Sequence, residues 1–439
     1  MSARSASPGA HRLTGRDAKT LALASLGGAL EFYDFIIYVF FTAAIGHVFF
    51  PASMPDWLSQ VQTWGIFAAG YLARPLGGIV MAHFGDLVGR KRMFTLSVFL
   101  MAMPTLIIGL MPTYETIGYA APLLLVVMRA LQGAAIGGEA PGAWVFVSEH
   151  VPARHIGFAC GLLTGGLTGG ILLGSLMATA INSVFTPDEV IGYAWRIPFV
   201  VGGIFGLIAM YLRRWLEETP VFEEMRKLKE TADELPLKLV LRDHGRAVIV
   251  SMLATWMLTA GIVVLILMTP GLMQKLHGIP ATDTLIANVA ATLTLTISAI
   301  VVGLLLDRHG PRIVTLVGGV LLIAAAYALY LGPAADPTLL LPIDAMAGFC
   351  VGVIGVVPVV MVRAFPPAVR FTGLSFSYNV AYAISGGLTP LVVSLLVAVD
   401  PLAPAHYVAA VTVIGVAAVV YGTARGHAPR PAALAEAAE

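Results

Sequence analysis

Residues 31 and 34 are a glutamate and an aspartate inside an apolar stretch that runs from Leu21 to Phe50. On a helix, that spacing puts both carboxyls on one face. Two other stretches supply cations: Arg74 in ARPLGG (73–78) and Arg129 in RALQGAAIGGEAPGA (129–143). The second also carries Gln132 and a third deep acid, Glu139. Acids set in an apolar span beside guanidinium groups suit two kinds of chemistry. A carboxyl facing a cavity can take up and release a proton. An arginine, charged in nearly any environment and fork-shaped, can grip a carboxylate through two parallel hydrogen bonds. Asp34, Glu31 and Glu139 are therefore candidate proton-coupling groups. Arg129 is a candidate substrate anchor, with Gln132 one turn away. The opposing reading is a permanent salt bridge between helices, a role that fits Arg74, just ahead of Pro75.

The second half of the chain is nearly free of charge inside its apolar runs. Asp344 is the main exception, and its position suggests an outer gate. Trp256, Tyr378, Asn379 and Tyr382, with Tyr33 from the first half, offer rings and an amide that could hold the body of a small polar substrate. No phosphate-cradling loop, metal-ligand cluster or nucleophile triad is present, which argues against an enzyme and against a nucleic-acid partner. Cys160 and Cys350 both fall in apolar runs and read as reduced packing residues, with no disulfide, metal or cofactor.

What must position these groups is set by the solvent. The chain is 58% apolar and 12% charged, against about 25% charged for a soluble domain. Apolar runs of about 20 residues recur from end to end, each long enough to cross about 30 Å of hydrocarbon. They are continuous rather than alternating, so the spans are helices and not strands of a barrel. Twelve spans are predicted: 21–50, 60–83, 93–111, 119–148, 156–184, 195–216, 246–272, 284–306, 312–332, 338–363, 371–399 and 405–424. Alternating passes gather the arginines and lysines on one side, among them Arg90, Arg154, Arg308, Arg312, Arg363 and Arg370. Asp56, Glu115, Asp188, Asp336 and Asp400 fall on the other side. Positive charge stays in the cytoplasm, so both termini are expected there. The first apolar run is too long for a cleaved leader. The expected plan is a cytoplasmic tail (1–20), a six-helix bundle (21–216), a charged cytoplasmic loop (217–245), a second bundle (246–424) and a short tail (425–439).

An internal repeat supports the two halves. FGDLVGRKRM (84–93) follows the second span and GLLLDRHGPR (303–312) the eighth. Asp86 matches Asp307 and Gly89 matches Gly310, with Arg90 on one side and Arg308 and Arg312 on the other. Each is an acid, a glycine and basic residues in a very short turn, with glycine for the tight backbone and the acid to cap a helix. Glu149, at the inner end of the fourth span, reads as a gate residue able to pair with Arg90. Helix five carries two glycine stripes, Gly161, Gly165, Gly169 and Gly166, Gly170, Gly174, which permit close helix contact.

Two six-helix halves with matching loops resemble the major facilitator superfamily. GALEFYDF (28–35), ARPLGG (73–78), FGDLVGRK (84–91), RALQGAAIGGEAPGA (129–143), SEHVPARHIG (148–157), WRIPF (195–199), LEETPVF (216–222) and VRFTGLSFSYNVAYAISGG (369–387) narrow the resemblance. Together they are similar to the metabolite:proton symporters, the branch with citrate, α-ketoglutarate, shikimate and proline/betaine carriers. The resemblance implies an all-α membrane fold of twelve helices in two pseudo-symmetric halves. It also implies a monomer in a bacterial-type inner membrane, with the proton as coupling ion. The function expected is proton-coupled import of a small polar metabolite, an organic acid such as a di- or tricarboxylate, by alternating access. A proton-driven efflux antiporter is the alternative, and a non-transporting membrane sensor ranks last. The glycine-proline pair usual in helix five of drug antiporters is absent, which favours uptake.

Overall fold

The computed structural model describes residues 15–88, 90–213 and 236–424; the side chains at 16, 17, 56, 82–88, 90–95, 213, 236 and 368 lie outside that description. Helix dominates, and the described residues include no strand. The solvent is the reason: hydrocarbon offers backbone amides no partner, so a spanning segment must satisfy them within itself.

Helix α1 is Gly15–Phe40, continued after a break at Phe41 by Thr42–Phe49. Helix α2 is Asp56–Val88 and α3 is Arg90–Leu110. Helix α4 is interrupted at Gly138 into Ala120–Gly137 and Glu139–His150. Helix α5 is Ile156–Val184, and α6 is Arg196–Arg213, entered through a π-turn at Val190–Ala194. Helix α7 runs as Gly245–Ala260, a π-segment Gly261–Leu267 and an outer piece Thr269–His277. Helices α8 and α9 share one helical stretch, Ala281–Ala335, bent where Gly310 takes φ 76°. That left-handed angle is open to glycine and strained for other residues, which explains the glycine of the short repeated turn. Helix α10 is Leu340–Val351 and Val356–Ala364, joined by a tight turn at Gly352–Gly355. Helix α11 is Pro367–Ala381, a π-segment Tyr382–Gly386 and Gly387–Leu396; α12 is Ala403–Ala424.

Eight of the described helical stretches are apolar and long enough to cross a membrane, with 187–194 and 196–212 as a bent ninth. Ala281–Ala335, at 55 residues, has length for two passes at 1.5 Å per residue. The outer surface carries large apolar side chains such as Leu76, Val127, Val320 and Leu395, where a water-soluble protein would be largely polar. The end of the bundle with the α8–α9 turn, Arg363 and Arg370 is termed the basic end below.

Helices α1–α6 and α7–α12 meet along two seams, α2 against α11 and α5 against α8. Within the first set, α2 and α4 touch backbone to backbone: a Cβ at Gly77 would collide with the Ala134 backbone, and one at Gly133 with the Gly70 carbonyl. This close approach sets the positions of Arg74 and Arg129.

Candidate functional site

Arg129, fully buried on α4, donates from Nη1 to the Phe35 carbonyl (3.1 Å) and to Gln132 Oε1 (2.9 Å). Gln132 Nε2 donates on to Thr105 Oγ1 of α3 at 2.6 Å. The guanidinium lies over the rings of Phe35 (4.3 Å), Tyr38 (4.4 Å) and Phe67 (5.7 Å). Its Nε and Nη2 have no hydrogen-bond partner. Asp34 stands on the α3–α6 side of α1. Its Oδ1 is 2.7 Å and its Oδ2 3.1 Å from where a Cβ would sit on Gly202 and Gly206 respectively. The methyl of Thr105 borders the same spot, 2.9 Å from that Gly202 position. Thr105 thus stands between the Arg129–Gln132 pair and the acid. Asp34 is buried and neither carboxyl oxygen has a hydrogen-bond partner. Glu31 and Glu139 are buried as well, at 2% and 4% exposure. Tyr33 turns to α6, where its hydroxyl donates to the Pro198 carbonyl at 2.9 Å.

A second guanidinium lies on the seam between the halves. Arg74 of α2 is fully buried and donates from Nε to Asn379 Oδ1 of α11 at 3.4 Å. Asn379 in turn donates to the carbonyls of Gly137 and Ser375. Three tyrosines surround Arg74: Tyr382 at 4.4 Å, Tyr378 at 5.3 Å and Tyr71 at 5.4 Å. Tyr71 and Tyr382 stack with centroids 5.3 Å apart and planes 5° from parallel. Trp144 closes the group edge-on to Tyr378 at 5.0 Å. Neither Nη group of Arg74 makes a well-aligned hydrogen bond; the Tyr378 hydroxyl is the polar group beside them. Phe35 and Phe67 each contact Tyr71 edge-on, so the two arginines share one continuous aromatic wall. A buried fork whose ends face rings and no anion can take a carboxylate bidentately, and the ring faces can carry a cationic nitrogen.

Of the residues singled out by sequence, Arg129 and Gln132 come together, and so do Arg74, Tyr378, Asn379 and Tyr382. Trp256 belongs elsewhere: its indole donates to Tyr407 Oη of α12 at 2.9 Å. There it lines a 340 Å³ crevice between α7, α11 and α12. Asp344 is buried in α10. Phe35, Tyr38, Phe67, Tyr71 and Thr105 were not anticipated. An aromatic ring or threonine in an apolar helix looks like packing, and only the arginine opposite gives it a role.

At the basic end the halves are fastened together. Asp307 accepts the backbone N–H groups of Gly157 (2.7 Å) and Phe158 (2.8 Å), the uncapped first turn of α5. Glu149 of α4 lies 3.6 Å from Arg370 of α11. Arg312 donates to Thr423 at 3.2 Å, and Arg308 is exposed. Gly89 and the side chains of Asp86 and Arg90, the other half of the repeat and the partner foreseen for Glu149, lie outside the described residues.

Comparison with known proteins agrees with this architecture. The Major Facilitator Superfamily model matches residues 24–390. A putative proline/betaine transporter of Staphylococcus aureus is 33% identical over 402 residues, covering 90% of this chain and 86% of the relative. The proline/betaine transporters of Salmonella typhimurium and Escherichia coli are 31% and 30% identical, each over 91% of this chain and 82% of the relative. The solved structure of XylE, a proton:xylose symporter, superposes with a TM-score of 0.75 over 92% of this chain and 94% of its own, at 17% identity. These relatives are transporters, not enzymes. The chain is a multi-pass membrane transporter and belongs to the Major Facilitator Superfamily.

Proposed function

We propose that the protein is a proton-coupled symporter that imports a small carboxylate-bearing metabolite by alternating access, as a monomer with the basic end in the cytoplasm of a bacterial-type cell. The observation that carries this reading is Arg74: a buried guanidinium whose Nη groups face tyrosines and no carboxylate, on the seam where the halves must part. A substrate carboxylate satisfies that fork. The ring faces suit a cationic nitrogen on the same molecule. Together with relatives named for proline and betaine, this favours a zwitterion over a di- or tricarboxylate. Asp34 is the proton carrier. A carboxylate there would have neither donor nor counter-charge in contact, and a proton removes that cost. No cofactor is needed beyond the coupling proton. Clustering of basic residues at the end with the short turns supports the orientation.

The test is uptake by proteoliposomes with an alkaline interior. Labelled proline, betaine, citrate, α-ketoglutarate, shikimate and a benzoate are each run with and without a protonophore. Accumulation of proline or betaine that the protonophore abolishes is the expected result. Accumulation of citrate alone would move the substrate to the polycarboxylates. No accumulation of any, with proton-driven extrusion when the gradient is reversed, would overturn import.

A further inference from the structure

Asp344 is the single acid inside the apolar runs of the second half, and the transport reading above gives it no task. It lies four residues into α10, about 6 Å along the axis from the helix start, at the end of the bundle away from the basic turns. It is fully buried, and neither carboxyl oxygen has a hydrogen-bond partner. Among the described residues, Asp34 is the other carboxyl with both oxygens in that condition. Helix α10 is locked on three sides. Thr294 of α8 donates to the Ala345 carbonyl at 2.7 Å, and Gly348 lies against the Ala291 backbone. Ile343 covers Gly332 of α9, and the π-segment of α7 packs against α10, with Gly261 facing Val351. From α9, Tyr330 lies within electrostatic reach of Asp344, and its buried hydroxyl interacts with the Thr269 side chain of α7. Between Asp283 and Asp307, α8 has no titratable residue, and neither does the α7 π-segment. Lys275 and His277, on the outer piece of α7, are the nearest cationic residues along the packed elements, and no ion pair joins either to Asp344.

We propose that Asp344 is a second proton-binding site, in the C-terminal half, loaded from the far side of the membrane and emptied when the outer piece of α7 moves. A buried carboxylate with no donor and no cation in contact costs several kcal/mol. A proton removes that cost without any rearrangement. A metal ion would not, because it needs several oxygen ligands in a shell. The Thr269 hydroxyl beside the π-segment is already committed to the Val264 and Leu265 carbonyls. The π-segment makes the site conditional: it is the part of α7 that can rewind by one residue, and it packs against the helix that carries the acid.

The transport half of this proposal rests on the symport reading; the spectroscopic half does not. Infrared difference spectra of the full-length protein in bilayers, taken while pH is stepped, show the C=O stretch of protonated carboxyls. Asp344→Asn is expected to remove one such band that Asp34→Asn retains, and retention of the Asp34 band in Asp344→Asn shows that the variant is folded. Asp344→Glu is expected to shift the band rather than remove it. Unchanged carboxyl bands in Asp344→Asn would overturn the site. On solid-supported membranes, charge moved per proline taken up is expected to fall about twofold in Asp344→Asn. An unchanged ratio, with the band present, would make Asp344 an acid that titrates outside the transport cycle and overturn its coupling role. If the wild type gives no proton-linked current at all, the symport reading fails while the spectral result stands on its own.

Discussion

A guanidinium inside a membrane protein must find partners for five N–H groups, and the two buried arginines here do so incompletely in different ways. Arg129 spends Nη1 within its own half, on Phe35 and Gln132. Arg74 spends one N–H on the other half and leaves both Nη ends over tyrosine faces. Arg74→Lys keeps the charge but loses the fork. Loss of one charge-assisted hydrogen bond at about 1.5–3 kcal/mol predicts roughly 10- to 100-fold weaker binding of a carboxylate substrate, read by scintillation proximity with labelled proline. Asp34→Asn is expected to abolish gradient-driven accumulation while sparing counterflow exchange; uphill transport by that variant at the wild-type level would remove Asp34 from the coupling role. Sequence reading found both arginines and all three deep acids of the first half, because charge in an apolar run is conspicuous. It assigned Arg74 to a salt-bridge latch between helices; the partner across the seam is the neutral amide of Asn379. Tyr378 and Tyr382, which complete the ring with Tyr71, come from the segment of Asn379, 305 residues on from Arg74, which no local pattern reveals.

Among the elements, α5 was the most legible. Its two glycine stripes point at two neighbours: Gly161 and Gly165 meet α8, while Gly166, Gly170 and Gly174 meet α1. Gly169 breaks the pattern, with open space where a side chain would go. Gly169→Ala should therefore be neutral or stabilise by up to about 1 kcal/mol through helix propensity. Gly170→Ala pushes a methyl into the Ala29 carbonyl and should destabilise by about 1–3 kcal/mol. Thermal unfolding in detergent separates the two. The π-segments of α7 and α11 were not legible, since one extra residue in a turn leaves the apolar run unbroken. The loop between α9 and α10 responds to pH. Asp336 accepts from the Thr338 N–H (2.9 Å) and hydroxyl (2.8 Å), which hold its carboxyl below the usual aspartate range. A lowered acid contributes its capping above the unfolded value and loses it as pH falls through the folded one. Amide exchange at Thr338 and Leu339 should therefore quicken only at pH below the ordinary aspartate range.

At the scale of the whole molecule, the two halves are joined at the basic end by contacts that a transport cycle has to break. Capping of α5 by Asp307 is of the kind worth about 0.5–2 kcal/mol. Asp307→Ala should shift the balance toward a state open at the basic end by about tenfold, seen as faster labelling of a cysteine placed at Phe158. Unaltered labelling would remove the Asp307 cap from the contacts that hold that end shut. Sequence analysis anticipated the short turn and its acid, but not that the acid serves a helix in the opposite half. The clasp also bears on how the chain is made. The two amides that need a cap are synthesised 150 residues before the carboxylate that supplies it. At about 5–20 residues per second, the first half waits roughly 8–30 s in the bilayer with the end of α5 uncovered. A first half expressed alone should leave that end exposed indefinitely, open to proteases and insertion chaperones, until a separately made second half arrives to cover it.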